Sequence, residues 1–353
     1  MVRGEIRAIL RPTRRGQTGA SCSRPMGGIE MIARIIVSAL VGAALLGAPA
    51  AKAQDYPSKP VRIVVGFAAG GIADLGARLL ADYITRTTGQ QAVVENRSGA
   101  AGTLAADTVA KAAPDGYTIG VVLNGQLVIN PFVQKQMPYD ALKDLLPVAG
   151  IGDAPQMIAM TAELPAKDFK EFQALAKAKP GVYTYGSAGV GSLPHLSAAE
   201  FTRQAGVQMI HVPYRGNAPA MTDLLAGRIH LISASIGTFR AGIAAGKLRI
   251  LLTATKQRLP YSQDVPTSAE VGIPNYLMSV WVGMVAPAGT PQPVVQRLHA
   301  LVQGMQKHEP AQKAMAAAGL ELMTMSQPEF ASFVKADHTR WEAIVKNAGV
   351  EKQ

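Results

Sequence analysis

The sequence predicts an α/β protein built from two lobes, on three observations. Short β-branched runs alternate with amphipathic helical segments along most of the chain, which is typical of sheets covered by helices. At 353 residues the chain is longer than one hydrophobic core normally supports, so two domains are expected. The 35 Gly and 23 Pro residues favour a fold rich in turns over a helical bundle or coiled coil.

The first lobe is predicted to open with a buried strand at 61–66, a β-branched apolar run bounded by Pro60. A helix over 74–86 follows, because its apolar residues are spaced for one buried face and Gly89 supplies a stop. The same alternation then predicts a strand at 92–95, a helix at 103–112 and a strand at 117–123, and it implies a mainly parallel sheet.

An apolar stretch at 147–161 indicates a crossing into a second lobe, where the alternation begins again. Helices are predicted at 169–179, 193–205 and 218–226, and strands at 182–185, 208–212, 229–235 and 248–255. After Pro274 come an apolar segment at 277–286 and helices at 293–308, 309–318 and 328–348. We therefore assign residues 54–154 plus 274–353 to lobe 1 and residues 155–273 to lobe 2.

The N-terminal segment has the layout of a secretory signal peptide. Arg34 precedes a 12-residue apolar run, 35–46, which is too short to span the ~30 Å hydrocarbon core of a bilayer as a helix. Ala51-Lys52-Ala53 then provides a small-residue cleavage site. Residues 1–53 are thus predicted to be a signal peptide with an upstream extension, cleaved near Ala53, and the mature chain to be periplasmic. The initiator remains open between Met1, Met26 and Met31.

Composition argues against several classes of function. Residues 1–53 hold eight basic and two acidic residues, so only +5 of the net +11 belongs to the rest of the chain, and nucleic-acid binding is not expected. Cys22 is the only cysteine and lies upstream of the apolar run, so disulfides and thiolate sites are excluded from the mature chain. The six histidines include no pair three or four residues apart. Neither a metal nor a cofactor is therefore expected.

A glycine-rich loop, Gly-Phe-Ala-Ala-Gly-Gly at 66–71, lies between the first predicted strand and helix. Free backbone N–H groups and the helix dipole at such a place favour an anion. Gly66 and Gly71 have the spacing of a phosphate-binding P-loop, but Ile72-Ala73 replaces its Lys-Ser/Thr, so nucleotide binding is not supported. The alternative is a simple turn with Asp74 capping the helix.

A second loop of this kind, 185–195, also follows a strand and precedes a helix. Tyr185 stands where a Gly-x-Ser-x-Gly nucleophile elbow needs its first glycine. In one interpretation Ser192 caps the start of the helix and His195 is packed against it. In the other, the two residues act as the nucleophile and the base of a hydrolase. At the end of the next strand Tyr214 and Arg215 are close enough in sequence to reach a cleft together, or Arg215 is simply exposed.

Eight segments, taken in order, resemble the solute-binding proteins of tripartite tricarboxylate transporters, the Bug family. They are Tyr56 to Val65, Val94 to Arg97, Ala113 to Tyr117, Pro138 to Asp140, His211 to Gly216, Asp264 to Thr267, Val285 to Thr290 and Arg340-Trp341. The resemblance covers essentially the whole mature chain.

The resemblance implies a type II periplasmic binding protein fold, two α/β lobes with a ligand cleft between them. It implies that backbone N–H groups and ordered water of two loops, which map onto Phe67 to Gly71 and Ser187 to Ser192, hold a ligand carboxylate. The implied function is a monomeric, non-catalytic receptor that delivers a small organic carboxylate to the membrane permease subunits of a tripartite tricarboxylate transporter. The alternatives are a signalling or orphan binding protein without a cognate permease, and a serine hydrolase using Ser192 and His195.

Two departures from the family pattern bear on the ligand. The first loop lacks the family's usual prolines, since Ala68 and Ala69 stand in their place, and Ser233 to Ser235 stands where relatives often carry Phe or Asp. The identity of the carboxylate is therefore not transferred. The residues predicted to bind the ligand are Phe67, Ala69, Gly70, Gly71, Asp74, Asn124, Gln126, Ser187, Gly189, Gly191, Ser192, His195, Tyr214 and Ser235.

Overall fold

The structure, a computed structural model, describes residues 56–353. The predicted signal peptide, its cleavage near Ala53, and Cys22 lie outside these residues. The strands are β1 (Val61–Val65), β2 (Ala92–Asn96), β3 (Thr118–Leu123), β4 (Leu145–Thr161), β5 (Thr184–Ser187), β6 (Ile210–Pro213), β7 (Leu231–Ser235), β8 (Leu248–Thr253), β9 (Ser279–Pro287) and β10 (Glu321–Leu322).

Helices cover the strands and follow them closely in sequence. They are α1 (Ile72–Thr88), α2 (Thr103–Ala110), α3 (Asn130–Val133), α4 (Phe169–Ala178), α5 (Leu193–Ala205), α6 (Asn217–Leu225), α7 (Ile236–Ala244), α8 (Gln292–Lys307), α9 (Glu309–Ala317) and α10 (Gln327–Asn347). Within residues 56–353, every helix is too short or too polar to cross a lipid bilayer.

The strands hydrogen-bond in the order β2-β1-β3-β9-β4-β7-β5-β6, with β8 and β10 also paired to β4. The outer strands are parallel, as the alternation predicts: β1 with β2 and β3, and β5 with β6 and β7. The central pairs β3–β9, β9–β4 and β4–β7 are antiparallel, so the expectation of a mainly parallel sheet is wrong at the centre. The reason is that β4 and β9 cross between the two sets of strands instead of returning through a helix.

Strand β4 joins the two halves of the fold. Its residues 145–155 pair with β9, whereas residues 156–161 pair with β7 and β8. The sequence pattern indicates a crossing here, and the structure places one continuous 17-residue strand at it. The α/β fold class is confirmed, and the bounds of α5 coincide with the predicted helix at 193–205. Helices α3 and α7 and strand β10 were not predicted.

The core is layered on both faces of the sheet. In β1, Val64 packs with α2 on one face, whereas Ile63 and Val65 pack with α1 and α8 on the other, and all three are buried. This arrangement explains the continuous apolar run of that strand, because both faces are covered by helices. It also places the loops that follow β1 and β3 at the carboxyl ends of their strands, where open α/β sheets bind ligands.

Two carboxylates face each other where β10 joins β4. Glu321 is the cross-strand partner of Asp153, so both side chains lie on one face of the sheet. Within residues 56–353, the buried Oδ1 atom of Asp153 has no hydrogen-bond partner. Burial, reinforced by the charges of Glu321 and Asp337, raises the pKa of Asp153 to about 6, although the Ser279 hydroxyl and Arg340 oppose the shift. Asp153 and Glu321 line a groove that also contains Met323 and Arg340.

Candidate functional site

A cavity of about 380 Å³ lies between the loop after β3 and the loop before α5. Its wall includes four residues predicted from the sequence to contact a ligand: Phe67, Asn124, Gly191 and Ser192. The complete lining is Phe67, Ala101, Leu123, Asn124, Gly125, Ile129, Asn130, Val133, Gln134, Val190, Gly191, Ser192, Leu193, Val280 and Gln353. Residues 190–193 of this lining follow β5, whereas the others come from segments near β1, β3 and β9 and from the C-terminus.

The first glycine-rich loop is held in shape by Asp74. This buried carboxylate accepts hydrogen bonds from the Gly70 N–H at 2.9 Å, from Arg78 Nε at 2.8 Å and from Asn96 Nδ2 at 2.9 Å. The bond from Arg78, with those from Gly70 and Asn96, lowers the pKa of Asp74 to about 2 despite its burial. Asp74 thus supports the loop and does not line the cavity.

The N-terminus of α1 keeps free donors. Gly71 is its N-cap and α1 has no side-chain cap, so the predicted cap by Asp74 is not the arrangement seen. The first helical bond runs from the Leu75 N–H to the Gly71 carbonyl at 2.9 Å, which leaves the N–H groups of residues 71–74 without helical acceptors. Residues 68–71 are exposed. The Gly71 N–H group is therefore open to an anion from solvent, whereas residues 73 and 74 of the same turn are buried.

The second loop is closed on itself by hydrogen bonds. Ser192 caps α5, accepting from the His195 N–H at 3.4 Å and donating to the Gly189 carbonyl at 2.6 Å. The Gly191 N–H donates to His195 Nδ1 at 3.1 Å, and the Gly189 N–H donates to Ser187 Oγ at 3.1 Å. These bonds fix the loop and consume two of the N–H groups expected to face a ligand.

A stack of aromatic rings supports this loop from behind. The His195 and His211 rings are 3.8 Å apart between centroids, and Tyr185 stacks on His211 at 5.0 Å. Burial, with a contribution from His211, lowers the pKa of His195 to about 4. His211 Nε2 lies 2.7 Å from Ser187 Oγ, and Ser187 is fully buried. The histidine that contacts a serine hydroxyl is thus His211, and that serine is inaccessible from the cavity.

The polar side chains of the cavity are already engaged. Asn124 Nδ2 donates to the Ser279 carbonyl at 2.9 Å, and Gln134 Nε2 donates to the Ala100 carbonyl at 3.1 Å. Asn130 Nδ2 donates to both the Ala101 carbonyl and Thr103 Oγ1 at 3.1 Å. These amides brace the turns that precede α2 and follow β3, and they present few side-chain donors to a ligand.

The remaining residues predicted from the sequence lie outside the cavity wall. Gln126 is buried, donating to the Gly102 carbonyl at 3.0 Å and accepting from the Leu123 N–H at 2.9 Å. The Tyr214 hydroxyl donates to Asp223 at 2.7 Å, and Arg215 is exposed. Those outside the lining are Ala69, Gly70, Gly71, Asp74, Gln126, Ser187, Gly189, His195, Tyr214 and Ser235.

Most of the apolar wall was not predicted. Ile129, Val133, Val190, Leu193 and Val280 line the cavity, but their spacing along the chain is that of ordinary core residues. Besides the two glycine-rich loops, the sequence signal for this region is Asn124-Gly125-Gln126 at the end of β3; Asn124 and Gln126 were both predicted, and of the two Asn124 lines the cavity.

Comparison with known proteins decides the family. The family model described as "Tripartite tricarboxylate transporter family receptor" matches residues 76–350. The chain belongs to this receptor family. The resemblance inferred from the sequence is thereby confirmed.

Solved structures that resemble this chain agree with the assignment. The Rhodopseudomonas palustris protein Rpa4515, solved with adipate, is 34% identical, with a TM-score of 0.73 over 85% of this chain and 100% of that one. The periplasmic binding protein BugD is 35% identical, with a TM-score of 0.69 over 84% and 100%. MatC from Rhodopseudomonas palustris, solved with malate, is 31% identical, with a TM-score of 0.68 over 82% and 100%. The receptor family and its periplasmic binding protein fold are thus established for this chain.

Proposed function

We propose that this protein is a periplasmic, non-catalytic receptor that captures a small organic carboxylate in the cavity between the two glycine-rich loops. It delivers this ligand, as a monomer, to the permease subunits of a tripartite tricarboxylate transporter. The observation that carries the proposal is a cavity bounded by both loops in a chain whose relatives are solved with adipate and with malate. Export depends on the predicted signal peptide at residues 1–53.

The carboxylate is proposed to bind at the N-terminus of α1. The N–H groups of Gly71 and of the first helical turn lack a side-chain cap, and the helix dipole adds a partial positive charge there. In the second loop, the cap by Ser192 and the bond from Gly191 to His195 leave fewer free donors. We therefore assign the larger share of carboxylate binding to the first loop, with ordered water linking the second.

Lobe closure is proposed to complete the site. Residues 54–154 plus 274–353 form one lobe and residues 155–273 the other, with β4 and β9 as the connections. The change of pairing partner in β4 at residues 155–156 supports a hinge at this point. Closure around a ligand is the usual response of two lobes joined by such crossovers.

Absence of catalysis is part of the proposal. The hydrolase alternative needs an imidazole nitrogen on the Ser192 hydroxyl, but this hydroxyl donates to the Gly189 carbonyl, and His195 Nδ1 accepts from Gly191. The serine that does contact a histidine, Ser187, is fully buried. These contacts support a structural role for both histidines.

A pair of substitutions at Gly71 tests the binding mode. Gly71→Pro removes one N–H, and the native φ of −82° is close to the value that proline imposes. Gly71→Ala keeps the N–H, and its Cβ meets only the Ala68 carbonyl at 3.8 Å. We expect carboxylate binding, followed by thermal shift and calorimetry on the full chain, to be lost in Gly71→Pro and kept in Gly71→Ala.

Two further controls complete this test. Each carboxylate is paired with its uncharged amide, which the site is not expected to bind, and His195→Ala is expected to keep substantial affinity. Loss of binding in His195→Ala together with full binding in Gly71→Pro would contradict the proposal and favour the hydrolase alternative.

A further inference from the structure

The cavity contains no charged side chain among the described residues that line it. Seven of its lining side chains are large and apolar: Phe67, Leu123, Ile129, Val133, Val190, Leu193 and Val280. They come from five different segments, so the apolar character belongs to the whole wall. At about 380 Å³ the space is sufficient for a small acid with an extended or ring-shaped body.

The polar groups of the wall do not offset this character. The amide nitrogens of Asn124, Asn130 and Gln134 all donate to protein oxygens within the fold. The Ser192 hydroxyl donates to the Gly189 carbonyl. A ligand hydroxyl or second carboxylate in the cavity would therefore lose its hydration and find few donors and no cation, which is unfavourable.

We infer that the ligand of this receptor has a single carboxylate and an apolar body, aliphatic or aromatic, and that hydroxylated di- and tricarboxylates are disfavoured. The inference rests on the proposed function, because it places the carboxylate at the loop N–H groups and the body in the cavity. Apolar contact with the wall supplies the affinity, and a wall without a charged side chain gives no counter-charge to a second carboxylate.

Isothermal titration of the full chain with a panel of acids tests the inference. The panel comprises butanoate, hexanoate and benzoate, with adipate, malate and citrate as the competing class. We expect Kd to fall about fourfold per added CH₂ from butanoate to hexanoate, since each buried CH₂ contributes a constant increment. Hexanoate or benzoate should bind at least tenfold more tightly than adipate, malate or citrate.

The outcomes separate the two proposals. Binding of adipate, malate or citrate at least as tightly as hexanoate and benzoate would overturn the apolar-body inference and leave the receptor function standing. Failure of every acid, with the protein folded by circular dichroism, would overturn both.

Two cavity variants and one matched control sharpen the test. Val133 faces the second loop, because its side-chain atoms lie 3.4–3.7 Å from the position a Gly191 Cβ would take. Val133→Ser is expected to weaken hexanoate binding about five- to tenfold and to change malate binding little. Val190 lines the cavity and is 43% exposed, so a serine there should not disturb folding. Val190→Ser should likewise weaken hexanoate binding more than malate binding. Val182→Ser makes the same change at a 57% exposed residue outside the lining and should alter neither. Equal loss for hexanoate and malate in both cavity variants would refute the inference.

Discussion

Asp153→Asn is expected to stabilise the protein at neutral pH and to have little effect near pH 4. In the folded chain the Asp153 carboxyl lies opposite Glu321 across the β4–β10 pair, with one buried oxygen unpartnered. Burial raises its pKa from 3.8 to about 6, so ionisation of this group opposes folding. Asparagine has similar size and carries no charge, and it removes that cost.

The sign and size of the effect follow from proton linkage. Because the folded pKa is raised, the folded state holds the proton more tightly than the unfolded chain. The stability contributed by the protonated Asp153 is therefore fully present below about pH 3.8 and is lost as pH rises from there to about 6. Above that pH the contribution of this group is constant. A shift of about two units corresponds to about 3 kcal/mol at neutral pH, an upper value because asparagine also changes the contact with Ser279.

Urea denaturation of wild type and Asp153→Asn at pH 4, 6 and 8 measures this difference. We expect an advantage for the variant of about 2 to 3 kcal/mol at pH 8 that shrinks towards pH 4. Asp337→Asn is the matched control. Asp337 accepts hydrogen bonds from Arg340 and Trp281, so the same substitution at this position should destabilise the protein. A variant at position 153 that is less stable than wild type at pH 8, or equally shifted at all three pH values, would refute the reasoning.

Three further outcomes are expected. Asp74→Asn should cost about 1 to 3 kcal/mol in urea denaturation, because a carboxylate that accepts three hydrogen bonds loses its charge; an unchanged midpoint would contradict this. Burial lowers the pKa values of His195 and His211, so part of the free energy of unfolding should be lost as pH drops from 6.5 towards 4. His195→Asn should reduce this pH-dependent part, and an unaltered pH profile of the free energy of unfolding would count against it. Gly283→Ala should destabilise by about 1 to 3 kcal/mol, because its Cβ would lie 2.6 Å from the ring of Phe330, which is fully buried where α10 packs on β9; a melting temperature equal to that of wild type would disprove that contact.

Most elements of the fold were predictable because their patterns are local. The apolar run of β1 and the one-sided spacing of α1 each depend on neighbouring residues alone. Strand β4 was recognised only as a crossing, because Gly150, Gly152 and Pro155 interrupt its pattern, and its continuity depends on pairing with β9, whose partners are over 100 residues away in sequence. Helix α7 was missed because its sequence offers little contrast between faces.

The cavity was only partly predictable, for a different reason. Glycine-rich loops between strand and helix are visible in the sequence, so the frame of the site was found. Its wall consists of Val133, Val190 and other apolar residues whose contacts are all tertiary, and nothing in a single sequence separates a cavity valine from a core valine. Conversely, Gln126 was a reasonable polar candidate, but its buried side chain is hydrogen-bonded to the Gly102 carbonyl and the Leu123 N–H.

The first loop illustrates how one constraint replaces another. The sequence lacks the prolines that the family resemblance leads one to expect there, and loss of proline normally enlarges the freedom of a loop. The structure supplies hydrogen bonds instead: Asp74 holds the Gly70 N–H, and Asn96 Nδ2 bridges Asp74 and the Phe67 carbonyl. Proline stiffens the unfolded and the folded chain alike, whereas these bonds exist only in the folded loop. The loop of this receptor therefore depends on one ionised carboxylate for its shape, and the presentation of the Gly71 N–H should be lost together with the charge of Asp74.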